Sequence, residues 1–274
     1  MRFVLFYSHA FENPNHENMP NLRVVLVETA GARNLGSVAR VMKNFGLQDL
    51  WLVNPLCDRH SDEAKHMAVH APEILTNAKV VESLPLAIAD CQRAIATVGR
   101  IDQGEMPVIE TRAAIDWLCQ MQDTAEVALV FGAEDRGLSN LEIQHCQQVM
   151  RIPVNPEYPS LNLAQAVGIC CYEWQLQTNV PRSSKLSRQL ASQIDQDLLE
   201  SKPIDLATRT ELEAYYQQLE TVLLKIGYLY PHTAFHRLQK FRQISDRANL
   251  TSAEVRMLRG VMRQVDWAVA SLEK

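Results

Sequence analysis

Residues 22–55 read Leu22-Arg-Val-Val-Leu-Val-Glu-Thr-Ala-Gly-Ala-Arg-Asn-Leu-Gly-Ser-Val-Ala-Arg-Val-Met-Lys-Asn-Phe-Gly-Leu-Gln-Asp-Leu-Trp-Leu-Val-Asn-Pro55. Two short apolar runs, Arg23–Val27 and Leu50–Val53, enclose a segment in which Val38, Val41, Met42 and Phe45 recur at helical spacing. The pattern predicts strand, helix (Leu35–Phe45), strand. The runs are nearly unbroken Val and Leu, as expected of strands with helices on both faces of their sheet. The alternation continues outward to about Val154. Further strands are expected at Lys79–Val81, Ala94–Val98, Val127–Phe131 and Val149–Pro153, and further helices at Thr111–Met121 and Leu161–Thr178. Ser139-Asn-Leu-Glu142 has the form of a capping box opening a short helix. Strands alternating with helices in this way predict an α/β fold with a parallel sheet.

The chain has 274 residues, room for two domains or one domain with an appendage. With 47% hydrophobic and 22% charged residues, 10 Gly and 12 Pro, disorder, collagen and filamentous coiled coil are excluded. No apolar run approaches the ~18–20 residues of a membrane-spanning helix. The opening Phe3-Val-Leu-Phe-Tyr7 meets polar residues at once and has no small-residue cleavage site. A cytoplasmic protein with a flexible lead over residues 1–20 is therefore expected. The six cysteines form no C-x-x-C pair and lie in apolar segments, so buried free thiols are expected rather than disulfides or a thiolate metal site.

The first domain spans 21–178. A polar break over 179–206, punctuated by Asn179-Val-Pro181, Ser183-Ser184 and Lys202-Pro203, reads as a linker. A small all-α extension follows over 207–274. One helix bears Leu212, Tyr215, Leu219, Val222, Leu223 and Ile226; a shorter one covers Ala234–Ser245. A third, bearing Val255, Leu258, Val261, Met262, Val265 and Val269, opens at the Thr251-Ser-Ala-Glu254 capping box. Between Pro231 and Arg263 seven Lys and Arg stand against two acids, Asp246 and Glu254, in a chain of net charge −5. A local basic stripe of this kind suits a phosphate backbone, although the overall charge excludes a uniformly basic coat.

The common nucleotide motifs fail. There is no G-x-G-x-x-G, neither Gly31–Gly36 nor Gly132–Gly137 continues into Lys-Ser/Thr, and no G-x-S-x-G elbow exists. A metabolic enzyme built on an open α/β sheet would lack a phosphate motif here. His66 and His70 stand four apart beside Glu63, a spacing that could hold a metal on one helix face, but a third clear ligand is missing and no metal is expected.

Three strand-to-helix junctions stand out, each at the carboxyl end of an expected strand, where open α/β sheets bind ligands. In Ala32-Arg-Asn-Leu-Gly-Ser-Val-Ala-Arg40, Asn34 can cap the helix, Gly36 permits close approach and Arg40 sits inside the helix. In Val130-Phe-Gly-Ala-Glu-Asp-Arg-Gly-Leu138, Gly132 and Gly137 frame an acid and a base. Ile152-Pro-Val-Asn-Pro-Glu-Tyr-Pro-Ser-Leu-Asn162 is a polar loop running into a helix.

In order and at these spacings, the junctions resemble the three motifs of the SPOUT RNA methyltransferases, in the branch that methylates ribose 2′-hydroxyls. The Leu26-Val-Glu28 strand end, Asn34-Leu-Gly36 with Arg40, the Leu52-Val-Asn-Pro55 turn, the Asn155-Pro-Glu-Tyr158 and Ser160-Leu-Asn-Leu163 loop, and Leu258-Arg-Gly260 in the tail look like the TrmJ family, tRNA (cytidine/uridine-2′-O-)-methyltransferases. The resemblance covers roughly residues 21–270. It implies a parallel sheet with a C-terminal trefoil knot, a homodimer with the active site near its interface, S-adenosylmethionine as cofactor, and methylation of tRNA at position 32 of the anticodon loop. Ribosomal RNA methylation and a non-catalytic RNA-binding module are the competing readings. The tail disfavours the first, and Arg40, Ser160 and Asn162 disfavour the second.

Carried over motif by motif, the cofactor pocket is expected from Thr97, Val98, Gly99, Gly132, Ile152, Pro159, Ser160 and Leu161. The catalytic set is Arg40, Ser160, Arg100 and Asn162, with Arg40 stabilising charge, Ser160 and Asn162 orienting the 2′-hydroxyl or cofactor, and Arg100 holding phosphate. Glu134 reads as a brace between loops, since a carboxylate facing phosphate would repel it. RNA contacts are expected from Arg237, Lys240 and Arg242. The chain departs from the family pattern at Thr97-Val98-Gly99 and at Pro159; main-chain contacts survive both changes.

Overall fold

The computed structural model describes residues 19–99, 107–178 and 205–272. Seven strands, β1 (Asn21–Val27), β2 (Asp49–Val53), β3 (Lys79–Val81), β4 (Arg93–Thr97), β5 (Val108–Glu110), β6 (Glu126–Phe131) and β7 (Gln148–Arg151), form one sheet in the order β3-β2-β1-β6-β4-β7-β5. Every pairing is parallel. β5, three residues at the sheet edge, two of them exposed, is absent from the sequence reading, whereas β3, equally short and at the opposite edge, stands where it was expected.

Strand side chains alternate between faces, and the unbroken Val/Leu runs divide accordingly. Val24, Leu26, Leu52, Leu129 and Phe131 enter a large core with α1 (Ala32–Asn44), α2 (Asp62–Ala68), α3 (Pro72–Asn77), α5 (Thr111–Cys119) and α7 (Leu163–Thr178). Val25, Val27, Val53, Ala128 and Val130 enter a smaller one with α4 (Leu84–Ala87) and α6 (Asn140–Ile143). α6 opens on the expected capping box: Ser139 Oγ accepts from Glu142 N and Glu142 returns the bond. Below the sheet's amino edge the Arg23 guanidinium is buried among Asp49 (2.8 Å) and Asp90 (2.5 Å) and stacks 4.1 Å from the Trp51 ring centre.

The tail has its own core, from Leu212, Tyr216 and Leu219 of α8 (Arg209–Lys225), Leu238 of α9 (Pro231–Ala248) and Val255 of α10 (Ser252–Leu272). α8 and α10 open on capping boxes at Thr208 and Thr251. α9 is longer than its apolar spacing indicated, because Pro231 starts it at N1 and Asn249, left-handed at φ 49°, ends it. The tail meets the sheet domain through peptide groups: Arg209 N donates to Cys91 O (3.0 Å), and Thr210 N and Oγ1 both donate to Ala89 O (3.1 and 2.8 Å). Asp205 and Leu206 already pair with Ser252 and Thr251, so the tail begins inside the span read as linker; 179–204 lie outside the described residues, as do 1–18 of the lead. Met19 and Pro20, assigned to that lead, are buried.

Two local readings are corrected. α2 stops at Ala68 and Val69 turns left-handed at φ 56°, which takes His70 off the helix face of His66. Asn34 does not cap α1; Gly31 occupies the N-cap position without a side-chain bond, and Asn34 is used elsewhere. Among the described residues all six cysteines are free, four of them buried.

Candidate active site

The turns after β4, β6 and β7 meet at the carboxyl edge of the sheet around a cavity of about 230 Å³, and the turn after β1 is tied to them from outside it. Its wall contains Thr97, Val98, Gly99, Gly132, Ile152, Pro159, Ser160 and Leu161, all eight residues named for the cofactor. Phe131, Asp135, Arg136, Leu138, Leu163 and Ala166, not named from sequence, also line it. The wall thus combines apolar side chains with a few polar groups, the make-up of a small-molecule site.

Three loops are tied together by side-chain amides and one carboxylate. Glu134 accepts from Ala30 N (3.1 Å), Gly31 N (3.1 Å) and Asn34 Nδ2 (2.9 Å). Asn34 Oδ1 in turn accepts from Asn162 Nδ2 (2.9 Å), and Asn162 Oδ1 caps α7 by accepting from Ala164 N (3.0 Å). Burial pushes the Glu134 carboxyl up, but the bonds from Asn34, Ala30 and Gly31 outweigh it and hold it below the usual carboxylate range. Glu134 is thus a brace, as its position in the turn suggested. Asn162 is engaged at both ends in loop geometry, so its contribution is positional.

A second cluster was not legible in the sequence. Arg136 is clamped by Glu28 (2.7 Å) and Glu142 (2.9 Å), and Glu28 adopts a left-handed φ of 51° directly after β1, a conformation costing about 1–2 kcal/mol for a residue with a Cβ. Glu142, then Glu28, keep the guanidinium firmly charged. Arg136 and Glu28 lie 108 apart in sequence, and only the adjacency of β1 and β6 brings them together.

Two glycines serve purposes other than ligand approach. A Cβ on Gly36 would stand 2.1 Å from Ala64 O, so the close approach there is by α2. A Cβ on Gly132 would stand 2.1 Å from the carbonyl carbon of Gly137, where the turn doubles back with Gly137 N donating to Ala133 O (2.8 Å). At Gly99 the nearest atom to such a Cβ is Pro159 O at 3.7 Å. The fold therefore does not itself demand glycine at that wall of the cavity.

Arg40 lies on the exposed side of α1 with Arg33 and Asn44 and does not line the cavity of its own chain. Arg100 lies outside the described residues. Arg237 and Lys240 are exposed on α9. Arg242 is largely enclosed: it donates two hydrogen bonds to the Glu213 carboxylate (2.6 and 2.8 Å) and stacks 4.4 Å from the Tyr216 ring centre. Its place is between α8 and α9.

Residues 21–172 match the model of the SpoU rRNA methylase family, and 210–274 match that of the tRNA methyltransferase TrmJ C-terminal domain. The tRNA (cytidine/uridine-2′-O-)-methyltransferase TrmJ of Pectobacterium atrosepticum is 39% identical over 247 residues, 90% of this chain and 97% of the relative. Its counterpart from Salmonella choleraesuis is 36% identical over 253 residues, again 90% and 97%. Among solved structures, TrmJ from Z. mobilis ZM4 superposes with a TM-score of 0.73 at 30% identity, over 89% of this chain and 98% of that one. Sheet domain and tail are thus matched together and in the same order, and the chain belongs to the TrmJ family of SpoU-type methylases.

Proposed function

We propose that this protein transfers a methyl group from S-adenosylmethionine to the ribose 2′-hydroxyl of a cytidine or uridine in tRNA, at position 32 of the anticodon loop, in the cytoplasm. The observation that carries the reading is the meeting of three sheet-edge turns in one cavity, locked by the Asn34 bonds to Glu134 and Asn162.

The cofactor fits the residues present. Leu138, Ile152 and Leu161 suit an adenine ring, and the wall at Gly99 is kept bare although the fold could house a Cβ there. When bound, S-adenosylmethionine supplies an electrophilic sulfonium methyl. The chain's task is then to hold the ribose oxygen in line and to exclude competing water. Ser160, at the rim, has a hydroxyl free to orient ligand or ribose. With its carboxylate engaged by loop N–H groups, Glu134 does not repel incoming phosphate as a bare acid would. Arg136 is neutralised by two acids and serves the loops rather than the substrate.

Arg40 acts by positive charge, since a guanidinium does not release its proton at neutral pH. Lying outside its own cavity, it serves the cavity of a second subunit in a homodimer. Supporting such a pairing, α7 exposes Ile169, Tyr172 and Leu176 beside α1, and Tyr172 meets Phe45 edge-on at 6.5 Å. α7 returns to pack on α1, which accords with a carboxyl segment threaded into a trefoil knot. Arg100 holds substrate phosphate. Arg237 and Lys240 contact RNA from the tail, with Arg242 fixing the helices on which they stand. The TrmJ-type tail favours tRNA over ribosomal RNA.

Calorimetry with S-adenosylmethionine, followed by mass spectrometry of tRNA nucleosides after incubation, tests the reading. The expected result is binding together with 2′-O-methylcytidine or 2′-O-methyluridine. Cofactor binding without a methylated nucleoside would favour a non-catalytic RNA-binding module, and no binding would remove the assignment.

A further inference from the structure

α9 and the turn before it carry exposed aromatic and basic side chains. The helix's inner side, Ala234, Leu238 and Ser245, is buried against the tail core. Its outer side and the turn before it present aromatic rings to solvent: Tyr230 is 55% and Phe235 45% exposed. The two pair with histidines, Tyr230 stacked on His232 at 25° between planes and Phe235 edge-on to His236 with ring centres 5.4 Å apart. One turn further stands exposed Lys240.

The backbone beneath these rings is fixed independently of them. Tyr230 O accepts from Thr233 N and Ala234 N (both 2.8 Å), Pro231 sets the first helical turn, and Leu229 is buried. The rings are therefore held out without being needed for packing.

The charge around them has one sign. From Thr221 through Ser245 the sequence contains no Asp or Glu. The acids that approach from neighbouring segments are already paired: Glu213 with Arg242, Asp246 with Arg209 and Asp266 with Lys225. Gln239, on the same helix, bonds Gln144 just beyond α6 (2.9 Å), which ties the helix to the sheet domain. Exposed aromatic rings and cations on a stretch without acids match single-stranded RNA, whose bases present π-faces and whose phosphates are anionic. A duplex keeps its bases stacked internally and offers them nothing.

Resting on the tRNA reading above, we propose that Tyr230 and Phe235 are a stacking platform for unpaired tRNA nucleotides outside the methylated one, with Lys240 on an adjoining phosphate.

The test uses the full chain, an unmodified tRNA transcript, a short oligouridylate and an RNA duplex. Tyr230→Ala and Phe235→Ala are each expected to weaken tRNA binding about tenfold without changing its salt dependence, because stacking releases no counterions. Lys240→Ala is expected to lower the slope of log affinity against log salt by about one. Phe235→Trp retains affinity, S-adenosylmethionine affinity is unchanged in every variant, and oligouridylate competes with tRNA for the wild type but far less for the ring variants. Duplex binding is the same in both ring variants.

Wild-type affinity in both ring variants, in a protein that still methylates tRNA, overturns the platform and leaves the enzyme reading intact. A change in oligomeric state on sedimentation with unchanged RNA affinity makes the face a contact between copies of this chain and also overturns it. A wild type that neither binds nor methylates tRNA overturns both readings together.

Discussion

Asn34 has two hydrogen-bonding ends, and each reaches a different loop: its amide meets Glu134 and its carbonyl meets Asn162. Asn34→Ala leaves both partners short of a bond, and S-adenosylmethionine affinity measured by calorimetry is expected to fall about tenfold, the scale of a lost hydrogen bond to a charged group. Asn34→Asp is expected to be worse at neutral pH, since it sets a carboxylate against Glu134, and to recover partly as pH falls. The wild type has its own acid limit. Glu134 is held below the usual carboxylate range when folded, so its brace is complete above about pH 4.3, the unperturbed value, and is lost as pH falls through the folded one. Cofactor affinity is expected to decline over that acid range. Arg40→Ala should retain cofactor binding, because Arg40 lies outside the cavity, yet lose at least about tenfold in methyl transfer. A single-turnover assay with near-normal transfer would remove Arg40 from the mechanism.

At the scale of elements, α1 and α2 touch backbone to backbone at Gly36, whereas α1 and α7 meet more loosely at Gly168, where a Cβ would find Val41 Cγ1 at 3.6 Å. The same substitution is therefore expected to act with opposite sign. Gly36→Ala must push α1 and α2 apart and should cost about 1–3 kcal/mol; Gly168→Ala fits and should gain up to about 1 kcal/mol of helix propensity. Thermal unfolding of both variants checks the contrast. The strands long enough to show an apolar run, β1, β2, β4, β6 and β7, were legible because helices on both faces make them uniformly hydrophobic. Of the two three-residue edge strands, β3 was legible and β5 was not. The cavity's walls were legible through the resemblance to the SPOUT motifs, which names residues at three carboxyl strand ends. The Asn34–Asn162 bond spans 128 residues, and the Arg136 clamp depends on β1 lying beside β6. No local pattern encodes strand order, and so the sequence pointed to Asn34 as a helix cap and passed over Glu28. The basic stripe was visible as composition, but which of its members pair internally, as Arg242 does with Glu213, is decided by helix packing.

The molecule as a whole has two apolar cores on the sheet's faces and a third, separate one in the tail. Truncation after Thr178 should leave the cavity and its ties intact, since no described residue of the tail lines it. The shortened protein is expected to bind S-adenosylmethionine with little change and to lose tRNA affinity in a gel-shift series; unchanged tRNA affinity would place recognition wholly on the sheet domain. The joint between sheet domain and tail has a character of its own. On the sheet side, Arg209 and Thr210 grip the carbonyls of Ala89 and Cys91, atoms that every amino acid possesses. A grip of this sort is blind to side-chain chemistry at those two positions, so any substitution that leaves the backbone path in place keeps these bonds. A tail transplanted from a distant cousin should find the same handholds wherever that bend of backbone is kept.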